Sequence, residues 1–212
     1  MLELYDYVRS SAAYRVRIAL ALKNLDAKKS EIHLLKKGGI QHGVEYKKVN
    51  PQGLVPSLTI DGVMLTQSIA IIEYLDELHP DPPLLPRGPL DRAFVRAMTL
   101  AIAADVHPIQ NLRVLNYLRK DLAQPEEAVL AWARHWIETG LAGFEALVNR
   151  APAQGAYCFG DSLTMADIVL APQMVNARRY GCNLAGVPRL VAIDAKLRAL
   201  PAFAQTTSEV KA

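Results

Sequence analysis

Cys158 and Cys182 are the only cysteines in 212 residues. Two thiols in a chain this long build neither a disulfide framework nor a metal site, and they read as reduced, partly buried side chains of a cytoplasmic protein. No Lys/Arg cluster interleaved with aromatics is present to follow a phosphate backbone, so nucleic acid is not an expected partner. No apolar run approaches the roughly 18 to 20 residues that a membrane-spanning helix requires, which predicts a soluble chain with no membrane contact. The opening MLELYDYVRSS carries acids and a tyrosine where a secretory signal would start basic and continue apolar, so export is not expected. Internal repeats and low-complexity segments are also missing.

What is there is an ordinary globular balance. Apolar residues make up 51% and charged ones 21%, enough for one or two domains with normal cores. The net charge of +3 comes from 24 basic and 21 acidic residues mixed along the chain, a mild bias that suits anionic small molecules.

The pattern changes partway along the chain. MLELYDY reads as a strand, and Ser10 to Asn24 has helical spacing through Tyr14, Ile18 and Leu22, continued at Leu25. A second strand-like alternation covers Lys29 to Leu34, before a polar segment from Gly38 to Gly43. LVPSLTI and MLTQS read as strands joined at Asp61-Gly62, a strong hairpin signal. Ser68 to Leu78 is helical and stops against HPDPPLLPRGP, which cannot continue a helix. From Leu90 onward the periodicity is helical, with breaks near Gln124-Pro125, Ala151 to Gly160 and Gly186 to Pro188. The expected organisation is an α/β module over residues 1–80, a linker over 81–88 and an all-α domain over 89–212.

Several residues point to chemistry. Pro56 in NPQGLVPSL lies between strand-like runs, where a central strand would lose a hydrogen bond. A cis bond at Val55-Pro56 would turn the Val55 backbone outward to pair with an extended peptide; an ordinary edge-strand proline is the commoner case. Ser68 begins the helix IAIIEYL, where free N–H groups can hold a carboxylate or the serine can simply cap. Ser10 and Ser11 pose the same choice, and a helix start also stabilises a thiolate. In DVHPIQNLRVL, Pro108 should kink a helix, and His107 and Asn111 share a face four residues apart. Thr164-Met165-Ala166-Asp167 fits a capping box and is assigned to folding.

YDYVRSSAAYRVRIALALK, NPQGLVP, LTQSIAIIEYL, DVHPIQNLRVL, FGDSLTMADIVLAPQ and NARRY, in this order, resemble the zeta-class glutathione transferases, the group that includes maleylacetoacetate isomerase. The resemblance implies a thioredoxin-like α/β amino-terminal domain, an all-α carboxyl-terminal domain and a homodimer with reduced glutathione bound in each subunit. It also implies residue roles. Ser10 and Ser11 face the glutathione sulfur; the resemblance does not choose between them, and Ser10, the first of the pair, is our own expectation for the principal donor. Gln41 lies near the glycyl end, Val55 pairs with the cysteinyl backbone, and Gln67 with Ser68 holds the γ-glutamyl end. His107, Asn111 and Arg113 become contacts for glutathione or substrate, and Arg9, Arg113 and Arg179 cations for a dianionic keto acid. Arg178 is expected to be solvated and Tyr7 to be a packing residue.

Two positions depart from the family pattern. Ala12 stands where a cysteine commonly follows the serine pair, so any chemistry of that thiol is absent. His107 stands where many relatives have glutamine, and the maleylpyruvate isomerases share this HPI segment. The implied reaction is cis-to-trans isomerisation of maleylacetoacetate, or of maleylpyruvate, by reversible thiolate addition. General conjugation or α-haloacid dehalogenation would use the same thiolate, and a non-catalytic binding module of the same fold would not.

Overall fold

The structure is a computed structural model and describes residues 1–207. The described residues form two compact units, Met1–Leu84 with residues 201–207, and Leu85–Leu200.

In the first unit, β1 (Leu2–Asp6), α1 (Ser11–Leu22), β2 (Lys28–Glu31), α2 (Val44–Val49), β3 (Ser57–Ile60), β4 (Val63–Thr66) and α3 (Ser68–Leu78) follow in that order. The sheet runs β2-β1-β3-β4, with β2 parallel to β1 and the other neighbours antiparallel. This is the expected thioredoxin-like module. The hairpin closes at Asp61 (φ 48°) and Gly62 (φ 86°), the paired left-handed residues that match strand twist in a two-residue turn. Leu4 and Leu58 are register partners, both fully buried.

The helix expected from Ser10 to Asn24 forms as α1, but it is not one-sided. Every residue from Ala13 to Leu20 is buried, because α1 packs on α3 and on the short helix α10 (Pro201–Ala204). The Tyr14 hydroxyl donates to the Phe203 carbonyl at 2.9 Å, and Arg17 Nε donates to the Thr206 carbonyl at 2.9 Å. Residues 201–207 thus group with the first unit and not with the helical domain expected over 89–212, because Phe203 completes the apolar cover of α1. The proline-rich stretch is likewise pinned: Lys23 Nζ donates to the Pro82 carbonyl and the Leu84 amide to Asp76, and Leu84 is buried.

The second unit is helical throughout: α4 (Pro89–Leu100), a π-helical segment Ala101–Val106, α5 (His107–Ile109), α6 (Leu112–Lys120), α7 (Glu126–Asn149), α8 (Met165–Arg179) and α9 (Pro188–Ala199). The interruption expected at Pro108 takes the form of this wider turn, in which the His107 amide bonds the Ile102 carbonyl five residues back. In α7 the buried series Val129, Ala133, Ile137, Leu141, Phe144 and Val148 marks one apolar stripe. Gly140 lies on this helix where the π segment approaches, and a Cβ there would stand 2.1 Å from Val106 Cγ2. Residues 165–177 of α8 are all buried. Its start has the expected capping box: Asp167 accepts from the Thr164 amide at 2.8 Å and the Thr164 hydroxyl at 3.0 Å, and also from the Cys158 amide at 2.9 Å. No helix among the described residues is long and apolar enough to cross a membrane.

Candidate functional site

Strand register brings three turns of the first unit to one end of the sheet. Tyr5 near the end of β1 pairs with Ser57 at the start of β3, and Ser57 pairs with Thr66 at the end of β4. The β1–α1 turn carrying Ser10, the loop carrying Val55 and the β4–α3 junction carrying Gln67 and Ser68 therefore share an edge.

Ser10 caps α1, its Oγ accepting from the Ala13 amide at 3.1 Å. That bond uses a lone pair and leaves the hydroxyl hydrogen to donate elsewhere. Ser10 is half-buried, whereas Ser11, the first helical residue, is buried; Ala12 is half-buried in the same turn, and Arg9 is exposed. Capping and sulfur recognition, posed as alternatives for Ser10, are compatible in one hydroxyl. Tyr7 is buried with its ring 4.9 Å from that of His33, a packing role.

The Val55–Pro56 bond is cis. Among the described residues the Val55 backbone takes no hydrogen-bond partner, although it stands directly before β3. The loop is held from beneath, where Tyr46 Oη and Asn50 Nδ2 bond the Leu54 carbonyl at 2.7 and 2.8 Å and also reach Ser57 Oγ, each at 3.2 Å. Burial is the main cause that raises the Tyr46 pKa above its ordinary value. Gln41 is buried in a short 3-10 turn, with Nε2 donating to the Leu34 carbonyl at 3.3 Å and Oε1 unpartnered.

Gln67 adopts φ 68° and ψ 113°, a conformation that costs a non-glycine residue about 1 to 3 kcal/mol and persists where the surroundings enforce it. Its Nε2 donates to Gln52 Oε1 at 3.0 Å, joining the α3 start to the Val55 loop. Ser68 does not cap α3. It is buried, and its Oγ accepts from Arg15 Nη1 at 3.3 Å.

In the second unit, Asn111 caps α6, with Oδ1 accepting from the Arg113 amide at 3.1 Å and Nδ2 lying 3.3 Å from His107 Nε2. A bond from Nδ2 requires His107 to hold its ring proton on Nδ1. The Trp132 indole donates to the Ile109 carbonyl at the end of α5. Arg113 and Arg179 are exposed, Arg179 Nη1 lying 3.3 Å from Asn176 Oδ1. Arg178 is not simply solvated, because its Nη1 is 2.6 Å from the nearly buried Asp194 carboxylate. Among the described residues no group of three or more His, Cys, Asp or Glu could hold a metal ion.

A peptide-like edge beside two helix starts, followed by an all-helical unit, is matched by two family models. The glutathione S-transferase amino-terminal domain matches residues 4–83 and the glutathione S-transferase carboxyl-terminal domain residues 130–201. The chain belongs to the glutathione S-transferase family. A maleylacetoacetate isomerase from Rhizobium meliloti is 48% identical over 94% of this chain and 92% of its own. The holo structure of a maleyl pyruvate isomerase, a bacterial zeta-class transferase, is 41% identical with a TM-score of 0.93, covering 97% of this chain and 96% of its own. A maleylacetoacetate isomerase from Methylobacterium extorquens AM1, solved with malonate and glutathione, is 36% identical with a TM-score of 0.93, again over 97% and 96%.

For a glutathione S-transferase, the support behind the edge was not apparent from the motifs. Arg17, itself buried, bonds Asp6 at 2.5 Å and the Val8 carbonyl at 3.1 Å, bracing the turn before Ser10. Burial lowers its pKa, opposed by Asp6. Arg15, two residues earlier, is wholly buried, which pulls its pKa down to about 10. The available signal was two arginines inside SAAYRVRIALAL, a stretch otherwise short of charge. Tyr46 and Asn50, four apart at the end of α2, gave a second signal of the same kind.

Proposed function

We propose that this protein is a glutathione-dependent cis-trans isomerase whose substrate is a small dianionic maleyl keto acid, maleylacetoacetate. The observation that carries the glutathione part is the shared edge: a capping Ser10 with a hydrogen left to donate, an unpaired Val55 backbone, and Ser68 at a helix start. A thiol tripeptide needs those three features, a donor for sulfur, a strand edge for its backbone and a positive helix end for its carboxylate. The names of the relatives, at 36 to 48% identity, support the isomerase part.

In the proposed reaction the glutathione thiolate adds to one carbon of the cis double bond, and the π electrons move into the neighbouring carbonyl as an enolate. The remaining single bond rotates. Collapse of the enolate expels the thiolate and restores the double bond as trans, so glutathione is regenerated. Lowering a thiol pKa from about 8.5 to about 6.5 is worth roughly 2.7 kcal/mol and raises the thiolate fraction at pH 7 from about 3% to about 75%. Ser10 Oγ and the start of α1 are assigned that work, with Ser11 assisting. Gln41 is assigned to the glycyl end and Gln67 with Ser68 to the γ-glutamyl end. His107, Asn111 and Arg113 are assigned to glutathione or substrate, and Arg9, Arg113 and Arg179 to substrate carboxylates, where guanidinium pairs also fix orientation.

Maleylpyruvate is the second substrate reading, supported by the His107-Pro108-Ile109 segment and by the similarity to the maleyl pyruvate isomerase. A homodimer in the cytoplasm, serving tyrosine breakdown, completes the proposal. Calorimetry with reduced glutathione tests the first step, and kcat/KM for both acids, followed with glutathione titrated before and after, tests the second. No binding at millimolar glutathione would overturn the reading, and net glutathione consumption would replace isomerisation by conjugation.

A further inference from the structure

Arg15 lies in the middle of α1 with 2% of its surface exposed, and among the described residues no carboxylate pairs with it. Nη1 reaches Ser68 Oγ at 3.3 Å, whereas Nε and Nη2 have no hydrogen-bond partner among the described residues. Its neighbour Arg17 differs, being paired with Asp6. A buried guanidinium with donors unmet is costly, and such a group is kept where something else completes it.

The chemistry of the bond fixes its direction. A guanidinium has only donors, so Ser68 Oγ must accept, and the single hydroxyl hydrogen of Ser68 is left to donate elsewhere. The first intrahelical bond of α3 runs from the Ile71 amide to the Gln67 carbonyl, so the amides of residues 68–70 precede it and present the positive end of the helix. An eleven-residue helix start, a hydroxyl forced to donate and an unanswered buried cation all favour one kind of ligand group.

We propose that Arg15 is a positioning residue for a ligand carboxylate at the start of α3, holding Ser68 as a hydrogen donor and supplying the buried positive charge that the carboxylate balances. The inference rests on the glutathione reading, which makes this group the α-carboxylate of the γ-glutamyl residue. Selection between thiol peptides then depends on a side chain that is itself sealed from solvent.

The test is a cycle of two ligands and several variants by calorimetry. The ligands are reduced glutathione and γ-aminobutyryl-cysteinyl-glycine, which lacks only that carboxylate. The wild-type protein should favour glutathione by about 10-fold or more, the range of charge-assisted hydrogen bonds. Arg15→Gln should shrink the preference to less than about 3-fold by weakening glutathione alone, and Arg15→Lys should restore part of it. In turnover, Arg15→Gln should raise KM for glutathione much more than it lowers kcat. Equal weakening of both ligands would reduce Arg15 to a packing residue and overturn the inference. Should the Arg15 variants fail to fold, Ser68→Ala carries the same cycle, and an unchanged preference in it overturns the inference as well. Wild-type protein that binds neither ligand fails the glutathione reading itself; wild-type protein that binds both equally fails the role of Arg15 alone.

Discussion

The Tyr46 hydroxyl donates to the Leu54 carbonyl at 2.7 Å, one residue before the unpaired Val55 backbone. Tyr46 therefore acts on the ligand edge through the loop. Tyr46→Phe should lower stability by about 1 kcal/mol, the net worth of one hydrogen bond, because Asn50 still holds the same oxygen. Glutathione affinity should fall about 3- to 10-fold. Thermal unfolding with and without glutathione separates the effects, and an unchanged ligand-induced shift would dissociate the loop from binding.

Ser10 and Ser11 differ in exposure, which makes their variants informative. Ser10→Ala removes a cap worth about 1 kcal/mol and, on the proposed role, raises the thiol pKa of bound glutathione. The thiolate absorbance titration should move to higher pH, and the turnover deficit should shrink as solution pH approaches the thiol pKa. Ser11→Ala should move the titration less. The opposite order would transfer the donor role to Ser11.

Asn111 and Arg113 are neighbours with separable tasks. Asn111→Ala removes the α6 cap and should cost about 1 kcal/mol of stability. Arg113→Ala and Arg179→Ala, both at exposed positions, should leave stability nearly unchanged while lowering kcat/KM about 10- to 100-fold. Unaltered kcat/KM in both arginine variants removes them from the substrate site.

Gly140 and Val106 form a tight helix contact. Gly140→Ala should destabilise the protein by roughly 1 to 3 kcal/mol through overpacking, and Val106→Ala in the same chain should recover part of that loss by making room. Chemical denaturation of the two single variants and the double variant gives the coupling directly.

Much of the architecture was legible because it follows local rules. Asp61-Gly62 announced its hairpin, Ser68 and Leu78 bound α3 as its periodicity requires, and Thr164 with Asp167 announced the α8 start. What escaped was long-range. Phe203 covers α1 across 189 residues of sequence from Tyr14, and no periodicity records such a partner. Pro108 was legible as an interruption, but the π turn before it depends on packing against α7. At the candidate site, motifs pointed to Ser10, Val55, Gln67 and Ser68, which the register places along one edge, and gave no sign of Arg15, Arg17 and Tyr46 behind it, because buried supports have no exposed chemistry to suggest a role. Arg178 was misjudged for a similar reason, since its partner Asp194 lies on a different helix.

The return of Phe203 to α1 also sets an order of events in time. As the chain leaves the ribosome, the sheet and α1 emerge early, yet the carbonyl that accepts the Tyr14 hydroxyl arrives only after every helix of the second unit has been made. Domains usually close in order of synthesis. Here the unit begun first is finished last, and until then the face of α1 that Phe203 will cover stands open to chaperones and to other nascent chains.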